Sequence, residues 1–186
     1  MIEILKKMEI KISNPEFDST VQPFFFNDNS CKNIDLIEQI KIISNKEQLN
    51  SILNNDYFNK LPENIKEFYY LFNNINNEIY IHYWTFFSIN NILKRYNEFY
   101  KKDNIYIIDI AYSYLGMGWI QILSYDPIKE KYIVRDDGGS NGFDREDNYK
   151  NLKDYCKNSS INHNFYKLSF NNFIDYLEYV YNNSLL

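Results

Sequence analysis

Trp119-Ile120-Gln121-Ile122-Leu123-Ser124-Tyr125 is followed by Asp126-Pro127-Ile128-Lys129-Glu130 and then by Lys131-Tyr132-Ile133-Val134-Arg135. Two runs rich in β-branched and aromatic residues flank a short stretch with Pro127 placed to start a turn, which predicts a β-hairpin. Upstream, Ile105 to Ile110 is almost wholly apolar, the composition of a central strand covered on both faces. Glu78 to Phe86 alternates and is rich in aromatic and β-branched residues, so it reads as a further strand.

Helical spacing surrounds these strands. Ile65, Phe68, Tyr69 and Phe72 fall at i, i+3, i+4 and i+7, one apolar stripe. Pro62 precedes them, near a helix start where a missing N–H costs nothing. Ser88 is placed to cap a helix with Ile89, Ile92, Leu93, Tyr96 and Phe99 on one face. Ser169 is placed likewise before Phe170, Phe173, Ile174, Leu177 and Tyr181. Leu49, Ile52 and Leu53 suit a short helix. The order is helix, helix, strand, helix, three strands, a loop-rich insert and a last helix. Adjacent hairpin strands with flanking helices define an α+β domain, not a doubly wound sheet.

The chain of 186 residues suits one domain. Residues 1–45 read as an N-terminal extension packed on a core domain of residues 46–186. Within the extension, Met8 to Ile12 alternates as a strand does, and Ile34 to Ile43 fits a helix or a strand equally. Phe24-Phe25-Phe26 is an apolar triplet suited to anchoring the extension on the core.

Charge narrows the function. The net charge is −5, and the short basic pairs Lys6-Lys7 and Lys101-Lys102 are too small to displace counterions from a phosphate backbone. Nucleic acid and anionic membranes are therefore poor partners, whereas a basic protein is a suitable one. No run approaches the ~18–20 apolar residues that span a bilayer, and Met1 to Met8 lacks the apolar core of a secretory signal. Cys31 and Cys156 show no metal-type spacing and read as free thiols of a reducing compartment. The expected location is the cytoplasm. The 18 tyrosines and 14 phenylalanines read mainly as core, because they recur at periodic positions.

Chemistry has few footholds. All the glycines lie between Gly116 and Gly142. Gly116-Met117-Gly118 precedes a strand where a dinucleotide fingerprint would open a helix, so it reads as a tight turn. Asp136-Asp137-Gly138-Gly139-Ser140-Asn141-Gly142-Phe143-Asp144-Arg145-Glu146-Asp147 is acidic and glycine-rich. An EF-hand loop starting at Asp137 would need carboxylates where Gly139 and Asn148 stand. The stretch reads as a surface loop leaving the hairpin, with a partner-binding loop as the functional alternative. His82 lies in a strand pattern and His163 in an Asn-rich loop, and neither has metalloprotease or zinc-finger spacing. No catalytic residue, metal ligand or cofactor is assigned.

The ordered motifs resemble one family. Leu61-Pro62-Glu63-Asn64-Ile65-Lys66-Glu67-Phe68 is similar to the helix start of the SUKH superfamily. Trp84 to Ile92, Ile108-Asp109-Ile110-Ala111 leading to Gly116-Met117-Gly118, and Leu168 to Ile174 resemble its later segments in the same order. The family often has an acidic residue where Met117 stands, and the Asp136–Asp147 stretch is longer than usual. The superfamily includes Smi/Knr-like cell-wall synthesis regulators and bacterial immunity proteins. Members also occur in large DNA viruses, for which host cytoplasm or the virion would be the location. The resemblance implies a single mixed, mainly antiparallel sheet flanked by helices, acting as a non-enzymatic module that scaffolds or inhibits a partner protein. Asp136, Asp137, Asn141, Asp144 and Arg145 are the candidate binding residues. The competing expectations are a virion or assembly component and a hydrolase with a dispersed site.

Overall fold

The computed structural model describes residues 1–13, 31–33, 55–72, 78–114, 119–139, 145–157 and 165–183. Five α-helices and eight strands occur among them. In chain order they are α1 (Ile2–Leu5), β1 (Ile10–Ser13), β2 (Cys31–Asn33), α2 (Glu63–Phe72), β3 (Ile79–Ile81), β4 (Trp84–Phe86), α3 (Ile89–Arg95), β5 (Ile108–Tyr114), β6 (Trp119–Asp126), β7 (Lys131–Gly139), α4 (Arg145–Lys157), β8 (Leu168–Phe170) and α5 (Phe173–Asn183). The strands form one open sheet in the order β2-β1-β3-β4-β5-β6-β7-β8. Every described pairing is antiparallel, and the architecture is α+β.

The hairpin read from the sequence is β6–β7, and β7 lies next to the edge strand β8. Asp126 Oδ1 accepts from the Ile128 N–H at 2.9 Å and from the Lys129 N–H at 3.1 Å, and Glu130 takes a positive φ of 52° to close the turn. The strands run further than the apolar pattern does, to Asp126 on one side and from Lys131 to Gly139 on the other.

Successive residues of a strand face opposite sides of the sheet, and the two sides differ here. Tyr132 and Val134 join the larger core, with Ile65, Phe68, Tyr69 and Phe72 of α2 and Phe173, Tyr176 and Leu177 of α5. Ile133, between them, packs with Leu152 and Tyr155 of α4 and with Tyr100, Ile105 and Ile107. The helical stripe of α2 is buried as its spacing predicts. Phe68 lies 4.9 to 5.8 Å, ring centre to ring centre, from Tyr69, Phe72, Phe86 and Phe173.

The described part of the N-terminal extension lies within this architecture. β1 pairs with β3 through Ile10–Ile81, Lys11–Tyr80 and Ile12–Ile79, and with β2 on its other side. α1 packs against α5, with Leu5 fully buried.

Several sequence readings are corrected. Glu78 to Phe86 is not one strand: β3 and β4 form a hairpin in which Ile81 opposes Trp84. His82 is in its two-residue turn at φ 53°, a left-handed position that non-glycine residues seldom take. The apolar run from Ile105 becomes strand only at Ile108, and β5 continues to Tyr114. Arg145 to Lys157, read as part of a loop-rich insert, is a helix. Ser88 does cap α3, accepting from the Asn91 N–H at 3.2 Å. Ser169 does not cap α5: it lies in β8, and Asn172 Oδ1 accepts from the Asp175 N–H at 2.8 Å. Phe24–Phe26, Ile34–Ile43, Leu49–Leu53, Gly116–Gly118 and His163 lie outside the described residues.

Candidate functional site

On the sheet face opposite the aromatic core, four strand residues converge with one helical segment. Asp109 of β5, Ser124 of β6, and Arg135 and Asp137 of β7 meet Arg95 and Tyr100. Two irregularities of the sheet shape this place. The β5–β6 register shifts between Asp109 and Ala111, so Ile110 and Ala111 both enter the aromatic core while Asp109 faces the other way. The displaced Ile110 carbonyl is not lost, because it accepts from the Phe87 N–H at 2.9 Å. The β6–β7 register shifts between Ile120 and Gln121, beside Gly138 at φ 87°. Such bulges insert one residue and re-aim neighbouring side chains, and the positive φ suits a residue with no Cβ.

Asp109 is 2% exposed and Arg135 1%. A charge taken that far from water needs both a partner and hydrogen bonds, and both are present. Arg135 Nη2 lies 3.0 and 3.1 Å from the two oxygens of Asp109. Arg95 Nη2 donates to Oδ2 at 2.8 Å, and Ser124 Oγ donates to Oδ1 at 2.7 Å. The Tyr100 hydroxyl donates to Oδ2 and accepts from Arg135 Nη2 at 3.0 Å. Arg135 Nε donates to Ser124 Oγ at 3.3 Å. The remaining arm, Nη1, reaches Asp137 Oδ1 at 3.1 Å. Two guanidiniums and two carboxylates balance in charge. The chain has only three arginines, and two of them serve this carboxylate, where an always-charged planar fork fits better than a lysine.

Burial alone would raise the Asp109 pKa. The Arg135 and Arg95 guanidiniums, with the Tyr100 and Ser124 hydroxyls, outweigh it and hold the carboxyl well below its ordinary range. Burial and the neighbouring Asp109 charge push the Tyr100 hydroxyl well up. At neutral pH the Asp109 carboxylate therefore sits between two guanidiniums and a neutral phenol. A carboxylate accepting from four side chains is neither a free general base nor a nucleophile. A second buried bond lies further along the same face, where the Tyr155 hydroxyl of α4 donates to Asp126 Oδ2 at 2.6 Å. Burial raises the nearby Cys156 thiol to about 11, which leaves it protonated and unreactive.

The candidate binding residues are not brought together as one patch. Asp136 and Asp137 belong to β7, not to a loop, and point to opposite sides of the sheet. Asp137 closes the Arg135 network, whereas Asp136 pairs with Lys167 Nζ at 3.0 Å. Arg145 is the first residue of α4, and Asn141 and Asp144 lie outside the described residues. The Asp109 cluster was missed in the sequence because its members are scattered from residue 95 to 137. The one signal was an aspartate inside the apolar Ile107-Ile108-Asp109-Ile110-Ala111 run, since a buried charge demands partners.

Among the described residues, no group of three His, Cys, Asp or Glu side chains could hold a metal ion, and no helix is long and apolar enough to cross a membrane. Compared with known proteins, the chain matches no family model, no curated protein and no solved structure.

Proposed function

We propose that this chain is a SUKH-like, non-enzymatic protein-binding module that scaffolds or inhibits a partner protein. The observation that carries the non-enzymatic part is the state of Asp109. This carboxylate is saturated by Arg95, Tyr100, Ser124 and Arg135, so its role is to fasten a helical segment to the sheet. The binding part rests on the order of the motifs and on the acidic balance of the chain, which suits a basic partner protein. Recognition residues favour loops held by a rigid scaffold. The segment between β7 and α4, with Asn141, Asp144 and Arg145, is assigned to the partner, together with Asp136 and Asp137 of β7. The expected compartment is the cytoplasm.

Affinity capture with the folded chain from its natural source recovers a stoichiometric protein. Asp144→Lys weakens that complex at least ~10-fold, equivalent to ~1.4 kcal/mol, without changing the circular dichroism. The reading fails if repeated capture with folded bait recovers no stoichiometric partner, or if the charge reversal leaves the affinity unchanged.

A further inference from the structure

Arg95 and Tyr100 donate to the same oxygen, Asp109 Oδ2, yet they are five residues apart on one continuous helical segment. At about 100° per residue, an α-helix would set them ~140° apart, on different faces. The segment is not α-helical there. Tyr96–Tyr100 is a π-helical turn, whose i to i+5 bonding brings those two positions towards one face. The Lys101 N–H donates to the Tyr96 carbonyl, and the Ile105 N–H to the Tyr100 carbonyl at 3.1 Å. The residues Tyr96-Asn97-Glu98-Phe99-Tyr100 contain neither glycine nor proline, so nothing in the local sequence asks for the wider winding. π turns are rare and concentrate at functional sites.

We propose that the Asp109 carboxylate is a latch that holds this segment in the π winding. While Arg95 and Tyr100 both reach Oδ2, the extra residue stays in the turn. When either arm is released, Tyr96–Tyr100 rewinds to α and Tyr100 turns away from the sheet. The shift passes through the 3₁₀ turn Lys101–Asp103 and is taken up at Asn104, whose left-handed backbone at φ 56° ends the segment. Arg95 is the arm that solvent reaches, its side chain being 29% exposed, whereas Tyr100 and Asp109 are buried. Its guanidinium also lies over the Phe87 ring, with Cζ 5.0 Å from the centroid, which keeps the arm near the sheet.

The latch is tested on the full chain by asking which carbonyl the Lys101 N–H uses, in a crystal structure or by scalar couplings across hydrogen bonds. Tyr100→Phe removes one arm and leaves both guanidinium–carboxylate pairs. Arg95→Met removes the other arm and keeps an apolar side chain at that position. In each variant the acceptor is expected to move from Tyr96 to Asn97. Deleting the exposed Asn97 supplies the converse: it places the tyrosine four residues after Arg95, on the same face of an α-helix. That chain is expected to fold, wind as α and keep both donors on Asp109. A π turn that persists in folded Tyr100→Phe and Arg95→Met proteins overturns the latch, as does a deletion chain that fails to fold.

Discussion

Tyr176 and Tyr100 are both buried tyrosines, one on each side of the same sheet. On the α2 and α5 side, Tyr176 stacks on Phe173 and meets Trp84 and Phe170 edge-on, and its hydroxyl has no hydrogen-bond partner among the described residues. On the other side, the Tyr100 hydroxyl joins Asp109 to Arg135. The first ring is used for its area and the second for its oxygen. One face is held by non-directional burial, which tolerates repacking. The other adds to a smaller apolar cluster a charge network that is stable only while complete.

Breaking each face at its most connected residue gives the largest effects and separates them by pH. Asp109→Ala leaves Arg135 buried without its carboxylate and is expected to cost ~3–5 kcal/mol near neutrality. The folded-state pKa of Asp109 lies below its unfolded value. Its contribution is therefore present above the unfolded carboxyl range, near ~3.9, and is lost as pH falls through the folded value. In denaturant titrations the wild type and the variant should converge in strong acid. Phe68→Ala, which empties the ring cluster of α2, is expected to cost a similar ~3–5 kcal/mol. That loss should stay level with pH, so a pH-dependent difference for Phe68→Ala would contradict the division between the faces.

A gentler pair sharpens the contrast. Tyr100→Phe deletes a hydrogen bond to charged groups and should lower stability by ~1.5–3 kcal/mol. Tyr176→Phe removes a buried hydroxyl that has no partner among the described residues and should be neutral or stabilising, by up to ~1 kcal/mol. The same chemical change thus destabilises on one side of the sheet and not on the other, and chemical denaturation of both variants checks it. The smallest effect separates the two serines that look alike in the sequence. Ser88→Ala should cost ~1 kcal/mol as a lost helix cap, whereas Ser169→Ala, on an exposed strand position, should change the melting temperature hardly at all. Asn172→Ala, the cap that replaces it, should match Ser88→Ala.

What could be read from the sequence follows the same division. Periodic apolar residues announce themselves, so the α2 stripe, the Ser88 cap and the β6–β7 hairpin were legible. The β3–β4 hairpin was not, because His82-Tyr83 lacks the Asn-Gly or Gly-containing pair that signals a two-residue turn. α4 was hidden by its polarity: among its described side chains only Leu152 and Tyr155 are buried, although Tyr149, Leu152, Tyr155 and Cys156 do fall at helical spacing. β8 is three residues long at a sheet edge, too short for alternation to register. The Asp109 cluster is assembled by tertiary contact from positions up to 42 apart (137 − 95), and no local pattern encodes it. Asp136 and Asp137 were conspicuous as neighbours, but neighbours in a strand face apart.

β1 has a further consequence, which concerns the order of assembly. It sits between a strand near residue 32 and a strand near residue 80, and α1, just before it, rests on α5, near the other end of the described chain. Contacts that span so much sequence close large loops before they return any stabilisation, which slows folding. On the ribosome, Leu5, Met8 and Ile10 must wait exposed until β3 has emerged, and α1 must wait for α5. Residues 1–13 are thus made well before the strand and helix that house them, so removal of this stretch should show first as aggregation during refolding.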